Sequence, residues 1–305
     1  MLDVTAPRTP LEPAPAGLLD ARDVYLKRED LHQLGAFKWR GARPVVRAYR
    51  DAGAARVVTA STGNHGAATA WAARELGLGA VVFVPQRSSE TKLARIEALD
   101  AALRRVPGDF DRAKDVSAVY AREHGLPLFV DGAEPAQYEG YRAIGDEIAA
   151  QTADTAGTVV VPLGNGALIG GVGEALHPRG WRVIGVVAKD APVMADSFDA
   201  RTVRPAASSE TIADGLAVRV AIPYAVARIE PVVDEVIRVS ERELARAIGR
   251  LAGSGIRVEA SAAASLAAVD HLRRGPGPLV LLLTGCNIDD ELFDRACADP
   301  ESFPG

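Results

Sequence analysis

Short runs of consecutive apolar and β-branched residues recur along the chain, separated by longer stretches of helical periodicity. They are Ala55–Ala60 (ARVVTA), Ala80–Pro85 (AVVFVP), Pro127–Val130 (PLFV), Thr158–Pro162 (TVVVP), Arg182–Ala188 (RVIGVVA) and Pro278–Thr284 (PLVLLLT). Continuous apolar runs mark strands buried on both faces, and helices between them supply parallel crossovers. The pattern predicts a doubly wound α/β fold. Several runs end in a glycine-bearing turn that opens the next helix, where open α/β sheets bind ligands. Residues 6–17, rich in proline and alanine, read as an extended arm, and Ser197–Ser209 (SFDARTVRPAASS) reads as a loop that breaks the alternation.

The 305 residues suffice for one large or two medium domains, and 48% hydrophobic content supports a substantial core. Aromatics make up 5%, a balance that suits helices packed closely on a sheet. Forty acidic residues against 35 basic ones give a net charge of −5 with no basic stretch, which argues against nucleic acid or acidic membrane as partners. Cys286 and Cys297 are too few for a disulfide framework and lack metal-ligand spacing, so a reducing, cytoplasmic setting is expected. The N-terminus has no secretory pattern, and no run is apolar and long enough to span a membrane.

Four segments carry chemistry. In YLKREDLHQLGAFKWRGA (25–42) a strand-like start leads through a glycine turn to Phe37 and Lys38. A partly desolvated amine at such a turn is a nucleophile toward a carbonyl, although by spacing alone Lys38 reads first as an ordinary exposed lysine at a helix start. In TASTGNHGAATAWAARELG (59–77) the turn Ser61, Thr62, Gly63, Asn64 exposes backbone N–H groups at a helix N-terminus, a site for an anion; simple capping by Ser61 or Thr62 is the alternative. In VVVPLGNGALIGGVGEAL (159–176) a strand runs into a glycine-rich loop that can approach a phosphate, without the marks of a nucleotide P-loop or a dinucleotide fingerprint. In LVLLLTGCNID (279–289) a buried strand ends at Thr284, whose hydroxyl either meets a ring nitrogen or caps the turn.

Together, in this order, these segments resemble the fold-type II pyridoxal-phosphate enzymes, above all the threonine/serine dehydratase branch. The resemblance includes PRTPL at Pro7–Leu11, the KRED and AFKWRGA block, ETIADGLAV at 210–218, DEVIRVSERELARAI and RVEASAAASLAAV. It implies two doubly wound domains of the tryptophan-synthase-β-like kind with the cofactor in the cleft between them. The larger would hold residues 1–39 and 138–305, the smaller 40–137. Lys38 would carry pyridoxal 5'-phosphate as a Schiff base and act as the base at Cα, with Phe37 beside the ring and Asn64 at its hydroxyl. Gly164, Asn165, Gly166, Ala167 and Leu168 would surround the phosphate, and Thr284 would face the ring nitrogen. Ser61, Thr62 and Gly63 would hold the substrate carboxylate, Gly215 would approach the substrate amine, and Glu259 would lie near the site. His65 falls inside the same substrate turn, although a lone histidine there also reads as a packing residue; Asp214 matches less strongly. Trp39 and Cys286 read as packing residues. A homodimer is implied by resemblance alone.

The implied reaction is β-elimination from a small β-hydroxy amino acid to a 2-oxo acid and ammonia. Thr62 stands where racemase members carry a serine, which weighs against racemisation. Val187 and Val193 stand where relatives carry the carboxylates of a divalent-metal site, so no metal is expected, and Asp190 is not read as a ligand. GNGAL at 164–168 and EGYRAIGDEI at 139–148 look closer to threonine synthase, which keeps β- or γ-replacement open as a rival. A cofactor-binding protein without catalysis is a second rival. No regulatory domain is expected after residue 300.

Overall fold

The computed structural model describes residues 8–19, 23–205, 209–273 and 275–305. Pro7 of the PRTPL string, residues 6–7 of the arm and residues 206–208 of the expected loop lie outside them. In chain order the strands are β1 (Leu11–Pro13), β2 (Val24–Arg28), β3 (Arg56–Ala60), β4 (Gly79–Pro85), β5 (Ala102–Val106), β6 (Thr158–Pro162), β7 (Arg182–Ala188), β8 (Glu235–Val239) and β9 (Leu279–Leu283). The helices are α1 (Trp39–Asp51), α2 (Asn64–Glu75), α3 (Glu90–Glu97), α4 (Phe110–Glu123), α5 (Pro135–Gln151) and α6 (Ala167–Leu176). They continue with α7 (Val193–Ala200), α8 (Pro223–Ile229), α9 (Glu241–Gly253), α10 (Ala260–Ala267) and α11 (Asp290–Ala298). The chain forms two compact units, one from the residues up to Ala36 together with Tyr141–Gly305, the other from Phe37–Gly140.

The larger unit is built on a six-stranded sheet of order β1-β2-β9-β6-β7-β8, parallel except for β1 on β2. Every residue of β6 and β9 is buried, which is why both read as unbroken apolar runs. The alanines of α10, among them Ala263 and Ala264, pack into one core with Val160, Ile184, Leu281 and Leu283. Such short side chains let the helix lie close to the sheet. Lys27 on β2 is fully buried, and its Nζ donates to the Thr9 carbonyl (2.8 Å), Glu147 (2.6 Å) and Gln151 (2.9 Å), which ties the N-terminal arm to α5. This lysine of the KRED string is therefore a structural one.

The smaller unit is a three-stranded parallel sheet of order β3-β4-β5. Val58, Val81 and Phe83 pack there against Ala113 and Ala121 of α4.

Four elements differ from the sequence reading. The edge strands β5 (ALRRV) and β8 (EVIRV) have no continuous apolar run because they are partly wet: Arg104 and Arg105 are exposed on opposite faces of β5, and Arg238 is exposed on β8. Pro127–Val130 makes a single bridge, Val58 to Leu128, rather than a strand, since proline lacks the N–H a ladder needs. Ser197–Ala200, expected in a loop, closes α7. Ser197 Oγ donates back to the Val193 carbonyl one turn earlier (2.6 Å) and accepts from the Arg204 N–H (3.0 Å), so the serine ties the helix to the turn that follows it.

A capping box starts α9: Ser240 Oγ accepts from the Glu243 N–H, and the Ser240 N–H donates to the Glu243 carboxylate at 2.7 Å. Ser240→Ala is expected to cost about 1 kcal/mol, read as a lower urea midpoint with unchanged slope. An unchanged midpoint would mean that packing alone holds the helix end.

Candidate functional site

Within the smaller unit, Lys38 immediately precedes α1 in helical backbone (φ −58°, ψ −23°), so its side chain leaves from the first turn. That side chain is 16% exposed, and its Nζ lies 5.1 Å from the centre of the buried Phe37 ring. The ammonium meets Asp131 Oδ2 at 2.5 Å. Gln137 Nε2 donates to the other oxygen of Asp131 at 2.5 Å. Burial alone would push the Asp131 carboxyl up, but the Lys38 charge and the hydrogen bonds from Lys38 and Gln137 outweigh it and hold the group well below the usual carboxylate range.

His65, in the first turn of α2, is buried and edge-to-face with Phe129 at 4.5 Å. Its Nε2 lies 3.1 Å from Thr59 Oγ1 and its Nδ1 3.7 Å from Asp131. Burial, more than any neighbouring charge, pushes this imidazole below its ordinary value. It is a neutral, packed ring at physiological pH.

The turn before α2 closes on itself. The Gly63 N–H donates to Ser61 Oγ (3.2 Å), the Ser61 N–H to the Phe83 carbonyl (3.2 Å), and a Cβ at Gly66 would stand 2.8 Å from the Ser61 carbonyl. Neither Ser61 nor Thr62 caps the helix, so the alternative of simple capping does not account for these hydroxyls. The amino end of α2 is left to attract negative charge. Gly63 is exposed, and a Cβ there would meet nothing within 4 Å, which leaves room at this end for a small anion. Thr62 and Asn64 flank it, both half-buried. Trp39, on α1, packs edge-to-face on Trp71 at 6.1 Å.

Within the larger unit, the loop Gly164, Asn165, Gly166 joins β6 to Ala167 and Leu168 at the start of α6. Gly166 has φ +94°, and a Cβ at Gly164 would lie 2.2 Å from the Gly215 carbonyl. Asn165 Oδ1 accepts from the N–H of Ala167, the first residue of α6 (3.1 Å), and the residue before it, Gly166, has no side chain to cap the helix. Gly215, exposed beside the exposed Asp214, donates its N–H to Ser261 Oγ at 2.9 Å. Thr284, at the end of β9, is 2% exposed and makes no side-chain hydrogen bond among the described residues. Next to it Gly285 is squeezed between the Gly35 carbonyl (2.9 Å from a Cβ) and the Glu259 carboxylate (3.0 Å), and its carbonyl accepts from the Glu259 N–H. Glu259 is thus the residue preceding α10, without a side-chain cap.

Thus the structure gathers Lys38, Phe37, Ser61, Thr62, Gly63, Asn64 and His65 in the smaller unit, and Gly164–Leu168, Gly215, Glu259 and Thr284 in the larger one. Two residues bonded to these candidates escape the sequence reading, Asp131 beside Lys38 and Ser261 beside Gly215, since nothing in DGAEP or EASAA marks either. Cys286 is half-buried rather than buried, with its N–H on the Gly35 carbonyl. Val187 and Val193 are buried and Asp190 is exposed; among the described residues no group of three or more acidic, histidine or cysteine side chains could hold a metal ion. No helix among them is long and apolar enough to cross a membrane.

Residues 4–285 match the family described as pyridoxal-phosphate dependent enzyme. The chain is 35% identical over 274 residues to the L-threonine ammonia-lyase of Geobacter sulfurreducens, covering 87% of this chain and 67% of that protein. It is 31% identical over 278 residues to the enzyme of the same name from Thermotoga maritima, covering 90% and 69%. The structure of the processed form of threonine deaminase isoform 2 from Solanum lycopersicum superposes with a TM-score of 0.88 at 27% identity, over 95% of this chain and 82% of that one.

Proposed function

The chain belongs to the pyridoxal-phosphate-dependent enzymes, and from that premise we propose that it is a lyase converting a small β-hydroxy amino acid, such as L-threonine or L-serine, to a 2-oxo acid and ammonia. The carrying observation is Lys38, a primary amine in a half-buried turn beside Phe37, in a chain 35% identical to an L-threonine ammonia-lyase.

The residues present fit the cofactor. Lys38 supplies an amine for its aldehyde, the Gly164–Leu168 turn opens a helix amino end for its phosphate, and the hydroxyl of the buried Thr284, which makes no side-chain hydrogen bond among the described residues, suits its ring nitrogen. Asn64 and Phe37 would serve the ring. When bound, the cofactor supplies an electron sink for charge developing at Cα.

The chain's own groups do the rest. The substrate carboxylate is held by Ser61, Thr62 and Gly63 at the amino end of α2, where the helix dipole favours an anion. The Gly215 carbonyl takes a hydrogen bond from the substrate amine. With its amine free, Lys38 would remove the α proton as general base. His65, buried and neutral, shapes the carboxylate turn from below, and Glu259 supports the Thr284–Gly285 end of β9. The β-hydroxyl departs as water, and water is consumed again when nitrogen leaves, so the net change is amino acid to 2-oxo acid and ammonium. The same reading takes the two units as the large cofactor-binding and small domains, and the protein as a cytoplasmic homodimer, on the strength of the family resemblance and the two free cysteines.

Release of ammonia and 2-oxo acid by the purified protein, across a panel of amino acids, tests the reading. L-Threonine or L-serine is expected to give both products in equal amounts. Spectral change without either product would replace elimination by replacement chemistry, and no spectral response to any amino acid would leave a binding protein.

A further inference from the structure

We propose that Asp131 is a positioning residue that takes up the Lys38 ammonium whenever this amine is free of the cofactor, so that it governs both cofactor capture and the handling of the α proton. This rests on the reading of Lys38 as the cofactor lysine. Among the described residues Asp131 is the ion-pair partner of Lys38, at 2.5 Å. The carboxylate is clamped: fully buried Gln137 accepts from the Gly132 N–H (2.7 Å) through Oε1 and donates to Asp131 Oδ1 (2.5 Å) through Nε2. Oδ2 is thereby left facing Lys38.

His65 cannot take the place of the lysine. The Thr59 hydroxyl proton is spent on the Phe129 carbonyl (2.8 Å), so the ring proton of the neutral imidazole sits on Nε2, toward Thr59 Oγ1. Nδ1 then turns a lone pair toward Asp131 at 3.7 Å, beyond hydrogen-bond reach. The groups facing the carboxylate are thus Lys38, Gln137 and a neutral His65, and Lys38 is the cation among them.

Two consequences follow. For capture, the ammonium must lose a proton to solvent before the amine can attack: ammonium plus aldehyde gives Schiff base, water and a proton. Asp131 opposes that loss. In turnover, the freed lysine takes the α proton and becomes an ammonium, which Asp131 stabilises while the β-hydroxyl leaves.

The test mixes the cofactor-free full chain with pyridoxal phosphate and follows Schiff-base absorbance. Asp131→Asn, which keeps an oxygen for Gln137, is expected to capture roughly tenfold faster at neutral pH, the scale of one charge-assisted hydrogen bond. Asp131→Glu, which keeps the charge, is expected to stay near the wild-type rate. In turnover Asp131→Asn is expected to lower kcat roughly tenfold with little change in KM, the mark of an interaction made beyond the bound ground state. Thermal unfolding of each variant checks the fold. Equal capture by wild type and Asp131→Asn, or fast capture by Asp131→Glu, overturns the role of Asp131. Absence of capture by the wild-type chain would instead overturn Lys38 as the cofactor lysine.

Discussion

Lys38→Ala is expected to lower ammonia release roughly 10⁴-fold and to leave a protein that loses pyridoxal phosphate on desalting. The size follows from what one side chain is asked to do: general-base catalysis alone is worth about 10²–10⁴-fold, and the covalent hold on the cofactor is lost with it. The fold should survive. Among the described residues Lys38 has one carboxylate partner, and Asp131, with its side chain 25% exposed, can turn to water and keep its hydrogen bond from Gln137. A stability loss of about 1 kcal/mol is the scale of such a change. Ammonia release within tenfold of wild type, with the same melting temperature, would remove Lys38 from the role of base. The fully buried Lys27 behaves oppositely: its three hydrogen bonds make it structural, so the two lysines of the same sequence block are separated by burial and not by motif.

That contrast shows what sequence can and cannot carry here. β6 and β9 are legible because both faces are covered and every position is apolar. β5 and β8 are not, since a partly exposed edge strand admits arginine and loses the apolar run. The glycine turns are legible as glycines, yet their reasons differ: Gly166 is in the left-handed region, whereas Gly164 is required by a neighbouring carbonyl that only the folded chain supplies. Asp131 and Ser261 fall outside any local pattern. The first stands 93 residues from Lys38 and the second 46 from Gly215, and tertiary folding alone makes them neighbours. Ser197 inverts the lesson: a polar, loop-like composition closes a helix, and its hydroxyl ties that helix to the Arg204 N–H in the turn beyond.

Gly164→Ala is expected to weaken pyridoxal-phosphate binding roughly 100-fold. Gly164 is not in the left-handed region, so the effect is one of contact: the new methyl would lie 2.2 Å from the Gly215 carbonyl oxygen, a backbone atom that no rotamer change can move aside. Gly215 has little room to retreat, because its N–H is held by Ser261 Oγ at 2.9 Å and its own Cα faces the same side chain. Either the 164–168 loop or the turn at Gly215 must shift. Overpacking of this kind costs about 1–3 kcal/mol, and 2.7 kcal/mol is about 100-fold in a dissociation constant. Because the first turn would serve the cofactor and the second the substrate amine, the variant should also raise KM. Titration of the cofactor-free variant with pyridoxal phosphate reads the affinity, and unfolding in urea reads the stability. Unchanged affinity with a lowered urea midpoint would make the Gly164–Gly215 contact a packing feature alone and would move the phosphate site away from this loop.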